Sequence, residues 1–572
     1  MSSEKKKFFW GILLISTFLP LFSFSATLGE EAVFNIDRSY DWKTRDEVTA
    51  VLVKITSNFY FYADKDWWEQ FGYFEKKDFE KVFYKLDQEF ENKIYPTLIS
   101  YFGKEPRPGI DKDNKITILL HPMRKEKGGY FSNGNLYPKI IYPKSNEREM
   151  IYLNSRYADD FDKIKVFLAH EFTHLIVSNQ KELLRNVNEE TWLNEARAEY
   201  SATLLGYDDD FNNSNLKQRV EDFLENKNDS LTEWLNKEGD YAVTNLFVQY
   251  LVDHYGIQIL TDSLKSSKVG IPSLNYALEK NGFEEDFSQI FTDWLITLFI
   301  NDCDVSPKYC YLNKNLRDLK IAPTLYYLPP GPESVLTVYT NTKEWAGNWQ
   351  KIVGGRGTLI FEFDGKKESG FKIPYLLCNY RGKCEIHLLD LDENQKGKIE
   401  IKEFGTRYAY LVIIPSIQAK TSGFDGKEES CSFSWTASLY EKTPEEKEKE
   451  LIERLLAQIE ELKRQIAYYQ AKINEILTKK EEMICGKFEK NLYYGLVNDS
   501  EVSCLQQFLK SQGPEIYPEG LVTGNFLELT HSAVVRFQEK YKDEILAPLG
   551  LEKGTGFVGP LTRAKINQLL NF

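Results

Sequence analysis

The spacing of apolar and polar positions changes three times along the chain, and each change marks a different expected architecture. Between residues 30 and 304, short apolar runs at 116–120 and 150–154 precede longer segments with helical periodicity. Runs rich in branched and aromatic residues are typical of strands, whereas apolar residues recurring every three or four positions predict helices. This pattern predicts an α+β domain at residues 30–304.

Residues 305–442 show a pattern of short alternating runs, among them 358–363, 384–389 and 408–414, with turn residues between them. Alternation with a period of two is typical of half-buried strands, and many short strands predict an antiparallel β-sandwich domain. The stretch offers no site of its own. We expect this domain to pack against its neighbour or to bind a partner.

Residues 443–484 form a charged segment with a narrow apolar seam at alternating spacings of three and four. The seam consists of Ile452, Leu455, Ile459, Leu462, Ile466, Tyr469, Ile473 and Ile476. Such a seam over about four heptads predicts a coiled coil. Isoleucine at one of the two seam positions of each heptad and leucine at the other favour a parallel homodimer. The alternatives are a helical hairpin and a helical spacer about 60 Å long.

Candidate chemistry lies in the helical segment 161–180, which contains the run His-Glu-Phe-Thr-His at residues 170–174. Residues four apart on a helix share a face, so His170 and His174 can reach one metal ion. The Glu171 carboxylate lies beside them, where it can take a proton from water that the metal activates. We interpret the run as two ligands and the general base of a catalytic Zn²⁺ site, with two hydrogen-bonded core histidines as the alternative.

A catalytic zinc site needs a third protein ligand and an open position. The metzincin pattern requires Gly at 177 and His at 180, where this chain has Val177 and Gln180. The stretch TWLNEARAEY at 191–200 instead resembles the second motif of the gluzincin zinc metallopeptidases. The resemblance implies that Glu195 is the third ligand and that Glu199, one turn later, orients a ligand histidine. Asn194 and Trp192 are expected to be structural.

The segment 241–251 resembles the helix that follows the metal motif in gluzincin aminopeptidases, where a tyrosine stabilises the transition state. This resemblance implies that role for Tyr241, with His254 as the second choice. The Gly-Ala-Met-Glu-Asn signature of those aminopeptidases is absent, so we expect an endopeptidase with a thermolysin-like domain, on the hyicolysin and thermolysin side of the clan. In gluzincins, a strand upstream of the zinc helix forms the edge that binds extended substrate, through strand addition.

Three motifs follow one another in the last region, residues 485–572. They are VSCLQQFL at 502–509, THSAVVRFQ at 530–538 and GFVGPLT at 556–562. They match, in order, the L-Q-x-x-L, A-V-x-x-F-Q and G-x-V-G-P-x-T elements of the three-helix peptidoglycan-binding family, which this region resembles. The resemblance implies a small all-α domain that binds peptidoglycan. A retained fold that binds protein is the alternative, because a fold does not fix function.

The N-terminus places three lysines at residues 5–7 before an apolar run from 8 to 24 that ends in small residues. This is the pattern of a secretory signal peptide at residues 1–25, with an uncleaved anchor as the alternative. No later segment is apolar enough to cross a membrane. We therefore expect an exported mature chain without a membrane span, extracellular or associated with a cell wall.

The formal net charge of −14 argues against nucleic-acid binding, which needs a basic surface. Seven cysteines in an exported chain predict disulfides, with one cysteine left over. The candidate pairs are Cys303 with Cys310, and Cys378, Cys384 and Cys431 among themselves, while Cys485 and Cys504 flank one short segment.

Two functional hypotheses follow from these patterns. The first is a secreted zinc metallo-endopeptidase that hydrolyses protein or peptidoglycan-peptide substrates and is tethered to the wall by its C-terminal domain. The second is a catalytically inactive envelope scaffold that acts through the coiled coil and the C-terminal module. Glu171 favours the enzyme, because a scaffold has no structural need for a carboxylate between two ligand histidines.

Overall fold

The computed structural model of the chain describes residues 26–331, 333–424, 426–440, 444–481 and 485–572. The signal peptide predicted at residues 1–25 lies outside these ranges. The chain divides near residue 441 into two compact units. It contains an N-terminal α/β region, a central region of β-sheets and C-terminal helices, so the predicted multidomain mixed class is confirmed at this level. Within the described ranges, no helix is both long and apolar enough to span a bilayer.

The N-terminal region is built on one six-stranded sheet. Its strands are β1 (Glu31–Asn35), β2 (Glu47–Ile55), β3 (Phe59–Asp64), β4 (Ile116–His121), β5 (Gly129–Phe131) and β6 (Met150–Asn154). Their order is β1-β2-β3-β4-β6-β5, with β3, β4 and β6 parallel and the other pairs antiparallel. The two predicted strands are present as β4 and β6, but both lie inside the sheet. The two edges of the sheet are β1 and β5, and β5, which no sequence pattern predicted, is the edge strand next to β6.

In the described part of the N-terminal region, ten α-helices accompany this sheet. They are α1 (Lys65–Trp68), α2 (Tyr73–Glu89), α3 (Tyr95–Phe102), α4 (Phe161–Ser178), α5 (Thr191–Leu204), α6 (Asn215–Glu225), α7 (Glu238–Tyr255), α8 (Gln258–Leu264), α9 (Gly270–Lys280) and α10 (Phe287–Ile300). They share one large core with a face of the sheet, because alternate strand residues such as Phe59, Phe61 and Ile118 point towards them. The opposite face has a smaller core around Phe34 and Tyr152.

The central region consists of short strands in two larger sheets and one small one. The strands are β7 (Thr324–Leu328), β8 (Val335–Thr342), β9 (Gln350–Gly354), β10 (Gly357–Gly365), β11 (Phe371–Lys372), β12 (Pro374–Cys378), β13 (Cys384–Leu388), β14 (Lys396–Phe404), β15 (Tyr410–Ile413), β16 (Ser416–Ile417) and β17 (Cys431–Tyr440). The sheets have the orders β14-β10-β17-β8, β13-β12-β15-β9-β7 and β11-β16. Side chains from both larger sheets form one core, as a sandwich requires.

Two features of the central region depart from the predicted antiparallel sandwich domain. β7 runs parallel to β9, because the connection between them passes through β8 in the other sheet and returns in the same direction. In addition, Trp345 and Trp349 insert into the helical core of the N-terminal region, and Trp349 Nε1 donates to the Leu295 carbonyl at 2.9 Å. The predicted boundary at 304/305 therefore falls inside one compact unit.

The second unit begins with α11 (Pro444–Glu481), a single helix of 38 residues that leaves no room for a hairpin. It is followed by α12 (Ser500–Ser511), α13 (Glu528–Lys540), α14 (Lys542–Ile545) and α15 (Pro560–Leu569). The shorter helices enclose a core of their own, in which Leu505, Val534 and Phe537 are at most 1 % exposed. Leu505 belongs to the motif at 502–509, and Val534 and Phe537 belong to the motif at 530–538.

The small helical region contains a 32-residue repeat of hydrogen bonds that the sequence analysis missed. The Gln506 side chain accepts from the N–H groups of residues 523 and 524 and donates to Thr530 Oγ1 at 2.7 Å. The Gln538 side chain accepts from residues 555 and 556 and donates to Thr562 Oγ1 at 3.0 Å. Each buried amide thus fastens one Thr-Gly turn to a helix, and the same arrangement occurs twice in the region.

Three disulfides are present among the described residues: Cys303–Cys310, Cys378–Cys384 and Cys485–Cys504. They settle the open choice among Cys378, Cys384 and Cys431, because Cys431 is the free cysteine. Disulfides persist in oxidising environments, so the pairing is consistent with the predicted location outside the cytoplasm.

Candidate metal centre

The two histidines of the motif and Glu195 bring three ligand atoms to one point. His170 Nε2 and His174 Nε2 lie 3.1 Å apart. Glu195 Oε2 lies 3.2 Å from His170 Nε2 and 3.5 Å from His174 Nε2. In the part of the chain that the structure describes, this is the one group of three His, Cys, Asp or Glu side chains spaced to hold a metal ion. The structure thus brings the three predicted ligands together.

Two packed helices position these atoms. α4 places His170 and His174 on one face because they are four residues apart, while it buries Phe172 in the core. α5 packs against α4, and its first turn is anchored by Trp192, whose Nε1 donates to Glu190 Oε2 at 2.8 Å. Anchoring that turn directs Glu195 towards the two histidines.

The spacing of the three atoms fits a metal ion of the size of zinc. Bonds of about 2.0–2.1 Å at tetrahedral angles separate ligand atoms by about 3.3–3.4 Å, and the separations here are 3.1, 3.2 and 3.5 Å. Glu195 Oε2 is buried and accepts no hydrogen bond from any described residue. A buried carboxylate oxygen that faces two imidazole nitrogens and receives no hydrogen bond would be stabilised by a cation. This set of nitrogen and oxygen donors suits zinc.

The second ring nitrogen of each histidine faces an oxygen atom. His174 Nδ1 lies 3.0 Å from Asn194 Oδ1, and His170 Nδ1 lies 3.5 Å from Glu199 Oε1. These contacts favour the tautomers with hydrogen on Nδ1, which leave each Nε2 lone pair for a metal. Glu199 therefore lies where the resemblance placed it. Asn194, which was expected to be structural, contacts the second histidine through its side chain.

The Glu199 carboxylate is 2 % exposed and is held by three further side chains. Arg219 Nε donates to Glu199 Oε2 at 2.8 Å, and Arg219 Nη2 donates to Oε1 at 2.9 Å. Asn215 and Asn245 each donate to Oε2 at 3.1 Å. None of these three residues was predicted, since they reach Glu199 from α6 and α7 and belong to no local motif.

The charges at the site favour a cation. Burial lowers the pKa of His174, but the charges of Glu195 and Glu171 outweigh this effect and raise the pKa to about 9. Burial raises the pKa of Glu195, but the two histidines outweigh it and hold that pKa well below the usual range. Glu195 is therefore ionised and the imidazoles attract a proton. A metal ion that binds there displaces this proton.

Glu171 lies on the wall of a cleft that opens beside the ligands. The residue is 5 % exposed, and burial raises the pKa of its carboxyl group. Gly129 of β5 faces it, where a Cβ atom would lie 2.7 Å from the Tyr152 carbonyl oxygen and 3.2 Å from Glu171 Oε1. Glycine thus lets the edge strand approach the carboxylate. Both residues line the cleft, which has a volume of about 560 Å³.

Tyr241 lines the same cleft in the first turn of α7. Its hydroxyl donates to Asn236 Oδ1 at 2.9 Å, and the rings of Trp234 and Tyr241 meet edge to face at 4.8 Å. Burial, followed by the charge of Glu195, raises the pKa of Tyr241 well above its usual range. The phenol therefore keeps its proton, and it could donate a hydrogen bond into the cleft if the O–H turned away from Asn236.

Asn236 connects Tyr241 to two further cleft residues that the sequence analysis did not single out. Lys127 Nζ donates to Asn236 Oδ1 at 2.7 Å, and Asn236 Nδ2 lies 3.4 Å from the Tyr40 hydroxyl. Burial raises the pKa of Tyr40 to about 12, so this phenol is protonated too. Tyr40 lies 196 residues before Asn236, and no local pattern could signal their proximity.

Other candidate residues are engaged elsewhere. His254 Nε2 lies 2.8 Å from the Cys310 carbonyl oxygen, so the second-choice donor does not line the cleft. Arg197, which belongs to the WLNE stretch, is fully buried, and its Nη1 atom pairs with Glu189 Oε2 at 2.8 Å. Three tyrosines line the cleft, namely Tyr40, Tyr157 and Tyr241, and of these Tyr40 and Tyr241 contact Asn236.

Comparison with known proteins adds little to this picture. No protein-family model matches the chain, and no curated protein matches its sequence. Solved structures with some similarity include PliG of Aeromonas hydrophila, a periplasmic inhibitor of g-type lysozyme, at 9% identity and a TM-score of 0.14, over 20% of this chain and 98% of that one. Another is a family GH115 4-O-methyl-α-glucuronidase at 8% identity and a TM-score of 0.12, over 57% of this chain and 51% of that one. Similarities this weak establish neither a family nor a thermolysin fold.

Proposed function

We propose that this protein is a zinc-dependent metallo-endopeptidase. The observation that carries the proposal is the convergence of His170 Nε2, His174 Nε2 and Glu195 Oε2 beside a cleft whose wall includes Glu171. Zn²⁺ held by these three residues would polarise the scissile carbonyl group and make water a stronger acid.

The surrounding side chains match the needs of peptide hydrolysis. Glu171 takes the proton of the attacking water and delivers it to the leaving amine, a role that a raised pKa supports. The protonated Tyr241 hydroxyl donates to the developing oxyanion. Glu199 and Asn194 hold His170 and His174 in the tautomers that bind metal.

Edge strand β5 supports an endopeptidase that binds extended peptides. It forms one edge of the six-stranded sheet, and its Gly129 lies against the Glu171 side chain. A peptide that adds to this edge gains main-chain hydrogen bonds along its length and needs no free terminus. The substrate class we propose is therefore an extended protein segment or a peptide of the cell wall.

We also propose that the C-terminal unit tethers the enzyme to peptidoglycan outside the cell. The three motifs that resemble the peptidoglycan-binding family lie in the small helical region, and Gln506 and Gln538 fasten its two equivalent turns. Its disulfide, Cys485–Cys504, suits an oxidising location. The mature chain should therefore co-sediment with isolated sacculi. A truncated chain that ends at residue 484 should stay in the supernatant. Equal recovery of both chains would refute the tether.

The replacement Glu171→Gln tests the enzyme most simply. The amide keeps the size of the side chain but cannot accept the proton, so cleavage of casein should fall by at least about 10²-fold. Zinc content, measured by elemental analysis, should stay at the wild-type level. Glu221→Gln, on an exposed position of α6, is the matched control and should retain activity.

Two outcomes of this experiment contradict the proposal. If Glu171→Gln cleaves casein at the wild-type rate with zinc bound, Glu171 is not the base. If the zinc-loaded wild-type protein cleaves neither casein nor peptidoglycan peptides, the inactive envelope scaffold becomes the better hypothesis.

A further inference from the structure

Helix α11 carries a continuous apolar seam on its surface. Every residue from 451 to 475 is exposed. In the heptad convention, the a positions are Ile452, Ile459, Ile466 and Ile473. The d positions with described side chains are Leu455, Leu462 and Tyr469. Residues at these two sets of positions are 45% to 60% exposed.

An exposed seam of this regularity needs a partner helix. Most of the stability of a protein helix comes from packing of its apolar face, and an isolated helix gains little in water. Single exposed apolar residues are common on protein surfaces, but a contiguous apolar stripe marks an interaction site. A stripe with heptad spacing fits another helix with the same spacing, since each a or d side chain inserts between four residues of the facing helix.

We propose that α11 pairs with α11 of a second copy of this chain, as a parallel, in-register, two-stranded coiled coil. All four a positions are isoleucine, and the first two d positions are leucine. β-branched side chains at a and leucine at d are the combination that favours parallel dimers. In register, each seam residue faces the same residue of the partner helix, so every isoleucine packs against an isoleucine.

The residues beside the seam agree with this orientation. In a parallel dimer, each g position faces the e position five residues later in the partner. Between residues 451 and 475 these pairs are Leu451 with Leu456, Gln458 with Lys463, and Gln465 with Gln470, so no like charges meet there. In the antiparallel alignment that sets Ile466 opposite Leu462, the e positions face each other and Lys463 meets its own copy. Charge therefore disfavours this antiparallel alignment.

Dimerisation would change how the proposed wall tether works. A dimer carries two C-terminal units, so its binding to a repeating polymer becomes bivalent, and the second contact forms at a high effective concentration. This consequence rests on the proposed peptidoglycan binding. The coiled coil itself does not depend on that binding or on peptidase activity.

Sedimentation of the mature full-length chain at about 10 µM tests the dimer. The wild-type protein should have twice the monomer mass, and Ile459→Asp, which buries a charge in the seam, should have the monomer mass. Ala457→Asp is the matched control, because residue 457 is an f position on the outer face of the same helix. A monomeric wild type, or a dimer that Ile459→Asp leaves intact, would overturn the proposal.

Disulfide trapping tests the orientation without disrupting the helix. In a Cys431→Ser background, Ile459→Cys places two thiols in one layer only if the helices are parallel and in register. Mild oxidation should then give a covalent dimer on a non-reducing gel, and Ala457→Cys should not. A protein that sediments as a dimer but is not cross-linked through residue 459 would refute the parallel, in-register arrangement.

Discussion

At the scale of single residues, the two histidines of the candidate metal centre contact different groups. His170 faces the Glu199 carboxylate, whose charge is shared with Arg219, whereas His174 faces the neutral Asn194 amide. A carboxylate partner increases the basicity of an imidazole more than an amide does. Both contacts use Nδ1, so both Nε2 atoms are left to face a metal ion if one binds.

Tyr241→Phe removes one hydroxyl that we assign to the oxyanion. We expect kcat to fall by about 10²-fold with little change in KM, because the lost hydrogen bond forms mainly in the transition state. Steady-state kinetics on a synthetic peptide measures both constants. Tyr40→Phe is the matched control, since Tyr40 contacts the same Asn236 side chain. A large loss of kcat in Tyr40→Phe alone would reassign the donor to Tyr40.

Glu149 is a buried carboxyl group that lies outside the cleft. Its Oε1 accepts from the Ile110 N–H at 3.0 Å, and its Oε2 is buried without a hydrogen-bond partner among the described residues. Burial raises the pKa of Glu149 to about 7. The folded state therefore binds a proton more tightly than the unfolded state, in which the pKa is near 4.5.

The raised pKa of Glu149 predicts how the free energy of unfolding changes with pH. Ionisation in the folded state is unfavourable, so the contribution of Glu149 to the free energy of unfolding falls as the pH rises from about 4.5 to about 7. Glutamine cannot ionise, so the Glu149→Gln variant avoids this loss. The substitution should therefore change the free energy of unfolding more favourably at pH 8 than at pH 4.5, by on the order of 2 kcal/mol. Urea unfolding at the two pH values measures the difference. A gain of equal size at both values would exclude ionisation as the cause.

At the scale of secondary-structure elements, the sequence predicted the features that depend only on the spacing of residues close together in the chain. His170 and His174 share a face of α4 because of their spacing alone, and the seam of α11 follows from the same rule. The Asn194–His174 contact was not predictable, since it depends on how α5 packs against α4. β5 has three residues and begins with a glycine, too little for a strand pattern, so its position at the edge came only from the structure.

Arg219 of α6 links three helices through Glu199, and its removal should weaken the metal site. Arg219→Met would leave the buried Glu199 carboxylate without its paired charge, and we expect zinc affinity to fall about 10- to 100-fold. Competition with a zinc-binding dye measures this affinity. Lys217→Met, on the same helix, is the control because the Lys217 side chain is 41% exposed and pairs with surface Glu221. Equal affinity in both variants would show that Glu199 orients His170 without Arg219.

At the scale of the whole molecule, the chain divides near residue 441 into two compact units. The first joins the α/β region and the β-sheets through shared core residues such as Trp345 and Trp349. The second has its own core around Leu505 and Phe537 and its own disulfide. Separate cores predict separate unfolding transitions.

The disulfide Cys485–Cys504 should stabilise only the C-terminal unit. Closing a loop of 19 residues is worth about 3 kcal/mol in the chain-entropy model, so the double serine variant should lower one unfolding midpoint by roughly 12 °C. Calorimetry resolves the two transitions, and Cys431→Ser, which breaks no disulfide, should move neither by that amount. If both midpoints fell together, the two units would not be independent.

The most direct measurement is zinc add-back to the chelated protein, with peptide hydrolysis as the readout. A strong chelator should abolish hydrolysis, and activity should return in proportion to added Zn²⁺ up to about one ion per chain. His174→Ala and Glu195→Ala proteins should neither retain the ion nor recover activity. Hydrolysis that survives chelation, or that returns with zinc in the His174→Ala and Glu195→Ala proteins, would contradict the metal centre and the peptidase built on it.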